Sequence, residues 1–352
     1  MDPFDELLLK VYRAARELPV GEFQDAALGL LRARLRFNSA VWAQGQNLPK
    51  GVAVHSAHLY NEPLEMILDW QRINDRDLVV ERVTRNAGQA QNINVRTLYP
   101  GREHRVMRSF SDRYGHQNFL IIGLLLDYVR VGRCWLSLYR PDASDQYGHA
   151  EVRLLDALAP HLFEALWINR TIGFREHGQE ADLDLTDTAA IARTDGVLSY
   201  CGRGFLELVR RHWPCWQGLK LPDAFLDSLP GAGKHAITRG HLVVAVKAAG
   251  DLLFLRAEER SPLRALTPRE LTAATLYAEG KSHKEIARDM GISPATVRNF
   301  LQHTYMKLHV GDKGELASLL VREVGHSAFA PSHFAVVLPN IEARLDRDAK
   351  DR

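Results

Sequence analysis

The sequence is short of several things, and each shortage excludes something. No apolar run approaches the ~20 residues that a membrane-spanning helix needs, so no membrane partner is expected. There are three cysteines, Cys134, Cys201 and Cys215. They show no metal-ligand spacing and are too few for a disulfide framework, which points to reduced thiols, no bound metal and a cytoplasmic protein. The opening segment MDPFDELLLKVYRAAREL carries acids and bases throughout, unlike a signal peptide. Net charge is nearly absent as well, at +2, so any surface for a polyanion has to be local.

Catalytic signatures are also missing. SLPGAGKH (Ser228–His235) looks like a phosphate loop, but Ser228 replaces the first glycine and His235 replaces the Ser/Thr. HSAH (His55–His58) falls on a predicted strand, where i and i+3 point to opposite faces, which argues against joint metal ligation. No G-x-S-x-G, Cys/His nucleophile setting or clustered carboxylate pair is present. The expectation is a non-enzyme without a cofactor.

What is present is ordinary globular sequence, 46% hydrophobic and 25% charged over 352 residues, enough for two or three cores. Amphipathic helices are predicted at about Asp5–Glu17 and Glu22–Leu35, then strands at Ser39–Gly45 and Gly51–Tyr60. A polar helical stretch around Glu65–Asn86 follows, then strands at Asn118–Tyr128 and Arg133–Pro141. A long amphipathic helix, Glu151–Arg170, closes this part. Its Leu155, Leu158, Leu162 and Ala165 fit either a short coiled-coil seam or packing on its own sheet, with a kink at Pro160. Helices flanking a largely antiparallel sheet make an α+β domain, here residues 1–175. A smaller α+β unit, 176–260, follows a polar linker. It has a strand, Asp-Gly turn and strand in AAIARTDGVLSYC, a helix near Gly204–His212, and a late strand pair around the Gly250-Asp251 turn. In order and texture the first domain resembles the GAF/PAS-like modules that precede bacterial DNA-binding domains, and the second resembles a PAS-like sensor fold. That likeness implies sensing, with Trp42, Tyr60, Trp70, Tyr114, Trp135, His116 and Arg140 as candidates to line a pocket for a small effector.

From Leu266 the local signals sharpen. Thr267-Pro268-Arg269-Glu270 and Ser282-His283-Lys284-Glu285 are capping boxes, and Asp312 to Glu315 is an Asp-led version. Ser293-Pro294 supplies a cap with proline at the first helical position. Gly280, Gly291 and Gly311 fall just past predicted helices. A helix from Ser282 must therefore stop at Gly291 and restart at Ser293 at a steep angle, as a helix-turn-helix does. Spacing puts Val297, Leu301, Thr304 and Leu308 in the small core with Ile286, Ala287 and Met290. The opposite face carries Ala295, Arg298, Asn299 and Gln302. Arg reads guanine, and Asn or Gln reads adenine. Ser282, His283 and Lys284 sit at a helix N-terminus suited to a phosphate.

The run Leu266–Ala317 resembles the LuxR-type helix-turn-helix domain of bacterial transcription regulators. The likeness rests on Leu266-Thr267 with Arg269-Glu270, Gly280 with Ser282, Lys284 to Ala287, Ile292-Ser293, Thr296 to Arg298, and Lys307-Leu308 with Val310. It implies that Arg298, Asn299 and Gln302 face bases in double-stranded operator DNA, that Lys284 and Thr296 face phosphates, and that Glu270 pairs with Lys307. Phe300, Thr304 and His283 depart from the family pattern. The module, 261–326, is only mildly basic, which suggests a homodimer on two half-sites. The family's last helix, here about Asp312–Arg322, offers Leu316, Leu319 and Leu320 for that contact, and residues 327–352 read as a tail. The competing expectation is a ligand-binding or enzymatic sensor whose C-terminal helices make protein contacts.

Overall fold

The computed structural model describes residues 2–125, 133–177, 187–229 and 234–325. The chain forms two compact units, Met1–Glu258 and Glu259–Arg352. The segment 1–175 and all but the last two residues of 176–260 lie in the first unit, each with its own sheet. The predicted tail, 327–352, lies outside the described residues.

The first unit opens with α1 (Pro3–Glu17) and α2 (Val20–Arg32). Strands β1 (Ser39–Asn47) and β2 (Val52–Tyr60) follow, then α3 (Leu64–Gln71) and α4 (Leu78–Arg85). Next come β3 (Gln91–Asn94), α5 (Val95–Leu98), α6 (Arg105–Tyr114), β4 (Asn118–Leu125) and β5 (Arg133–Arg140). The five strands form an antiparallel sheet in the order β2-β1-β5-β4-β3. Helix α7 (His149–Glu176) is longer than the predicted Glu151–Arg170 and carries Pro160 internally.

Both faces of this sheet are covered. Leu155, Leu158, Leu162 and Ala165 of α7 are fully buried with α1, α2 and the sheet residues Trp42, Ile122 and Leu136, so packing on its own sheet is what this helix does. On the other face, Val41, Ala43 and Val54 meet Met66 and Ile67 of α3, and Phe119 meets Val79 and Val83 of α4. The single polar helix expected at Glu65–Asn86 is two helices. Asn74 breaks it, because its buried amide accepts from Val52 N–H at 3.0 Å and donates to Val52 C=O at 2.9 Å. Asp77 then restarts it by accepting from Val79 N–H at 2.8 Å, a helix N-cap.

The second sheet contains β6 (Ala189–Arg193) and β7 (Leu198–Cys201), followed by α8 (Arg203–His212) and α9 (Asp223–Leu226). It is completed by β8 (Lys234–Arg239), β9 (Leu242–Ala249) and β10 (Leu252–Glu259), in the order β7-β6-β10-β9-β8. Half of Ser228–His235, the segment that only superficially resembles a phosphate loop, falls on residues 230–233, outside the described residues. One sheet face packs α8 and α9, and the alternate residues Ala189, Ile191 and Phe254 pack Phe174 from the end of α7. Helix α7 thus serves both sheets, which accounts for their compactness as one unit.

The regular elements of the second unit among the described residues are helices: α10 (Pro268–Ala278), α11 (His283–Met290), α12 (Pro294–Leu308) and α13 (Lys313–Gly325). Fold class is therefore α+β around two antiparallel sheets, with a four-helix C-terminal module. No helix among the described residues is long and apolar enough to cross a membrane.

Candidate functional site

The C-terminal module is assembled by its caps. Thr267 Oγ1 accepts from Glu270 N–H at 3.3 Å, and Glu270 Oε2 accepts from Thr267 N–H at 2.8 Å. The same reciprocal pair joins Ser282 and Glu285, at 3.4 and 2.8 Å. Ser293 Oγ accepts from Thr296 N–H at 3.1 Å with Pro294 following it. Gly291 ends α11 at φ +64°, a left-handed conformation that glycine adopts without penalty. One expected stop is elsewhere: α12 ends on His309 at φ +53°, before Gly311, and the Gly311 N–H instead donates to Glu315 Oε2 at 2.6 Å.

Val297, Leu301, Thr304 and Leu308 are the buried residues of α12, with Ile286 and Ala287 buried on α11 and Met290 packed beside them. Thr304 satisfies its buried hydroxyl by donating to Phe300 C=O at 2.9 Å. Phe300 is half-buried against the α11–α12 cluster, where it extends the core. Lys307 Nζ lies 2.6 Å from Glu270 Oε2. Burial of Glu270 opposes ionisation, but the Lys307 and Thr267 donors outweigh it and hold the carboxyl down at about 2.

With one face of α12 in the core, Ala295, Arg298, Asn299, Gln302 and Met306 are exposed on the other. Among the described residues neither Arg298 nor Lys284 has a salt-bridge partner, whereas Lys281 is held on Asp289 at 2.8 Å. The four expected phosphate contacts differ in freedom. Lys284 is exposed. The Ser282 hydroxyl donates to Glu285 at 2.7 Å, the Thr296 hydroxyl pairs with Ser293 at 2.9 Å, and His283 stacks on Tyr277 at 5.4 Å between centroids. The last helix does not offer the face expected of it. Leu316 and Leu320 are buried inside the module with Leu266, Ala274 and Leu308, and Leu319 packs against the same cluster.

In the first unit a cavity of about 100 Å³ lies between the sheet and α3, α4 and α6. Of the seven predicted pocket residues it takes Trp70, Trp135 and His116. Trp42 and Tyr60 lie on the opposite face, packed in the cluster with α1, α2 and α7. Tyr114 stands outside the cavity at an open cleft beside Glu62, its hydroxyl donating to Asp69 at 2.7 Å. Arg140 is a structural ion: it is buried, 2.5 Å from Glu151, and lies over the Tyr147 ring. His116 Nε2 lies 2.7 Å from the Glu62 carboxylate, and its ring stacks on Tyr139.

Sequence reading missed Asp77, Tyr99, Phe110 and Tyr139 in this wall. Asp77 accepts from Trp70 Nε1 at 2.7 Å, from Tyr99 Oη at 2.6 Å and from Val79 N–H. Burial pushes its carboxyl up, against those three donors. A helix-capping Asp next to a Trp seven residues earlier was the available signal. Among the described residues no group of three His, Cys, Asp or Glu side chains is placed to hold a metal. His55 and His58 stay apart; His58 lies 2.9 Å from Asp25.

A capped helix-turn-helix with a polar outer face on its second helix is the architecture that many DNA-binding modules share. The C-terminal module is a LuxR-type helix-turn-helix domain: residues 264–320 match the family described as bacterial regulatory proteins, luxR family. A probable HTH-type transcriptional regulator GfsR of Streptomyces halstedii is 38% identical over 78 residues, 22% of this chain and 31% of that protein. The transcriptional regulatory protein LiaR of Bacillus subtilis (strain 168) is 36% identical over 86 residues, 24% of this chain and 41% of that protein. The chain thus spans well under half the length of these curated relatives. Among solved structures, Escherichia coli SdiA aligns over 91% of this chain and 97% of its own, at 14% identity and a TM-score of 0.37. The N-acylhomoserine lactone dependent LuxR family transcription factor CepR2 from Burkholderia cenocepacia aligns over 49% of this chain and 96% of its own, at 17% identity and a TM-score of 0.35.

Proposed function

We propose that the chain is a sequence-specific DNA-binding regulator of transcription, that it acts as a homodimer, and that a small effector in the cavity of the first unit controls it. One observation carries the reading. Arg298, Asn299 and Gln302 stand exposed on the outer face of a helix whose inner face is fully committed to the core. That leaves base-reading side chains with no structural task on the element that enters a major groove in this fold. Lys284 at the start of α11 supplies an exposed cation for a backbone phosphate.

Dimerisation is supported by the weak charge of the module, since one lightly basic reader binds DNA loosely and two half-sites restore affinity. The effector reading is supported by the cavity, which has aromatic walls and few polar groups, as small-molecule sites do.

Selection of full-length protein against random-sequence duplexes tests the proposal. The expected result is one enriched sequence, with two half-sites about 10 base pairs apart or a multiple of that. Binding that enriches no sequence and is displaced equally by heparin would favour the competing reading, in which the C-terminal helices hold a protein.

A further inference from the structure

The second sheet meets the first through a turn of unusual backbone. Gly218 and Leu219 have φ of +99° and +61°, and Lys220 N–H donates to Gly218 C=O at 2.7 Å. A bond from i to i+2 around a residue of positive φ is the rarer and more strained γ-turn, and a bulky side chain at its centre is an outlier. Nothing local rewards Leu219 for this. Its side chain is 3% exposed and sits among Val41, Val54, Met66 and Ile67, a cluster of the first sheet. Val41, Met66 and Ile67 also wall the cavity.

The backbone of the turn joins the two sheets. Leu219 N–H donates to His55 C=O of β2 at 3.0 Å, and Leu219 C=O accepts from Leu198 N–H of β7 at 2.8 Å. Gly218 lies so close to β2 that a Cβ there would stand 3.1 Å from Val54 O and 3.3 Å from His55 Nδ1. His55 is the extra residue of a bulge: Gln44 pairs with Ser56, and Gly45 pairs with Val54. Bulges re-aim side chains, and here the buried His55 ring has no hydrogen-bond partner for either nitrogen among the described residues.

We infer that the Gly218–Lys220 turn is a latch through which the second sheet responds to the filling of the cavity. This rests on the reading of the cavity as an effector site, and it gives the second sheet a task. An occupant larger than the cavity must press on Met66 and Ile67. Leu219 is the neighbour that gains by leaving, because withdrawal relaxes its backbone. Withdrawal also breaks the bonds to His55 and from Leu198, which frees the edge of β7 from β2.

The test needs no ligand, so its outcome is independent of whether an effector is ever found. In the full-length chain, Val83→Phe drives bulk into the cavity from α4, in a cluster separate from Leu219. Hydrogen exchange is read at Leu219 and Leu198, with Ile191 in the middle of the second sheet as control. The latch predicts exchange about fivefold or more faster at the first two amides and unchanged at the third. Should Val83→Phe fail to fold, Val83→Met carries the same wedge with less bulk. Leu219→Gly, which removes both plug and strain, should raise Leu198 exchange on its own and abolish the response to the wedge. Unchanged protection at Leu219 and Leu198 in a folded wedge variant overturns the latch, as does uniform acceleration across the unit.

Discussion

Lys307 Nζ and Glu270 Oε2 lie 2.6 Å apart, 37 residues distant in sequence, and fix the end of α12 to the start of α10. The Glu270 side chain is 5% exposed, so the pair is shielded from solvent on its acid side and open at its lysine, 38% exposed. Replacing Lys307 with Met leaves a buried carboxylate without its cation and should cost roughly 1–3 kcal/mol of module stability in a urea titration. The depressed Glu270 carboxyl gives a sign as well. Its stabilisation is complete above about 4.5 and is lost as pH falls toward about 2, so the wild-type and Lys307→Met midpoints should converge across that window.

The caps make a second prediction. Ser282→Ala removes the acceptor for Glu285 N–H and should destabilise the module by about 1 kcal/mol. Gly291→Ala should cost a similar amount, about 1 kcal/mol, purely through backbone conformation, because no atom lies within 4 Å of the new Cβ. A loss of several kcal/mol at Gly291 would mean that the turn packs against a neighbour the open space around it excludes.

His55 predicts an acid-sensitive first unit. Burial, with a smaller contribution from Arg210, lowers its imidazole to about 4. A histidine depressed in the fold stabilises it above about 6.5, and that stability is lost progressively as pH falls to about 4. The loss should reach roughly 3 kcal/mol in wild type and be reduced in His55→Gln, measured by chemical denaturation across that range.

These predictions fall on residues of unequal legibility. In the C-terminal module caps, glycine stops and the inner face of α12 are all local devices, and residues four or fewer apart declare them. His309 is the exception: a left-handed histidine carries no strong signal, and the nearby Gly311 drew the expected stop. The cavity was largely hidden. Trp70, Asp77, Tyr99 and Trp135 come from separate elements, and no spacing along the chain brings them together. Trp42 illustrates the other difficulty. A sheet covered by helices on both faces reads as continuous apolar sequence, so alternation does not say which face holds the cavity. Val41 faces it and Trp42 faces away. The last helix is ambiguous in sequence for a related reason, since Leu316 and Leu320 look alike whether they pack inward, as they do here, or await a partner.

Lys284 should behave as a phosphate contact. Lys284→Ala is expected to weaken binding to all duplexes alike and to reduce the slope of log K against log salt by about 0.9. A loss confined to one sequence would instead make it a base reader.

The most direct measurement is an anisotropy titration of full-length protein on its selected duplex, with and without Arg298→Ala. The account predicts a loss of about 1–3 kcal/mol on that duplex, relaxed preference at one base pair and little change on unrelated DNA. Equal affinity and unaltered preference in the variant would contradict it, because the outer face of α12 would then not be reading bases.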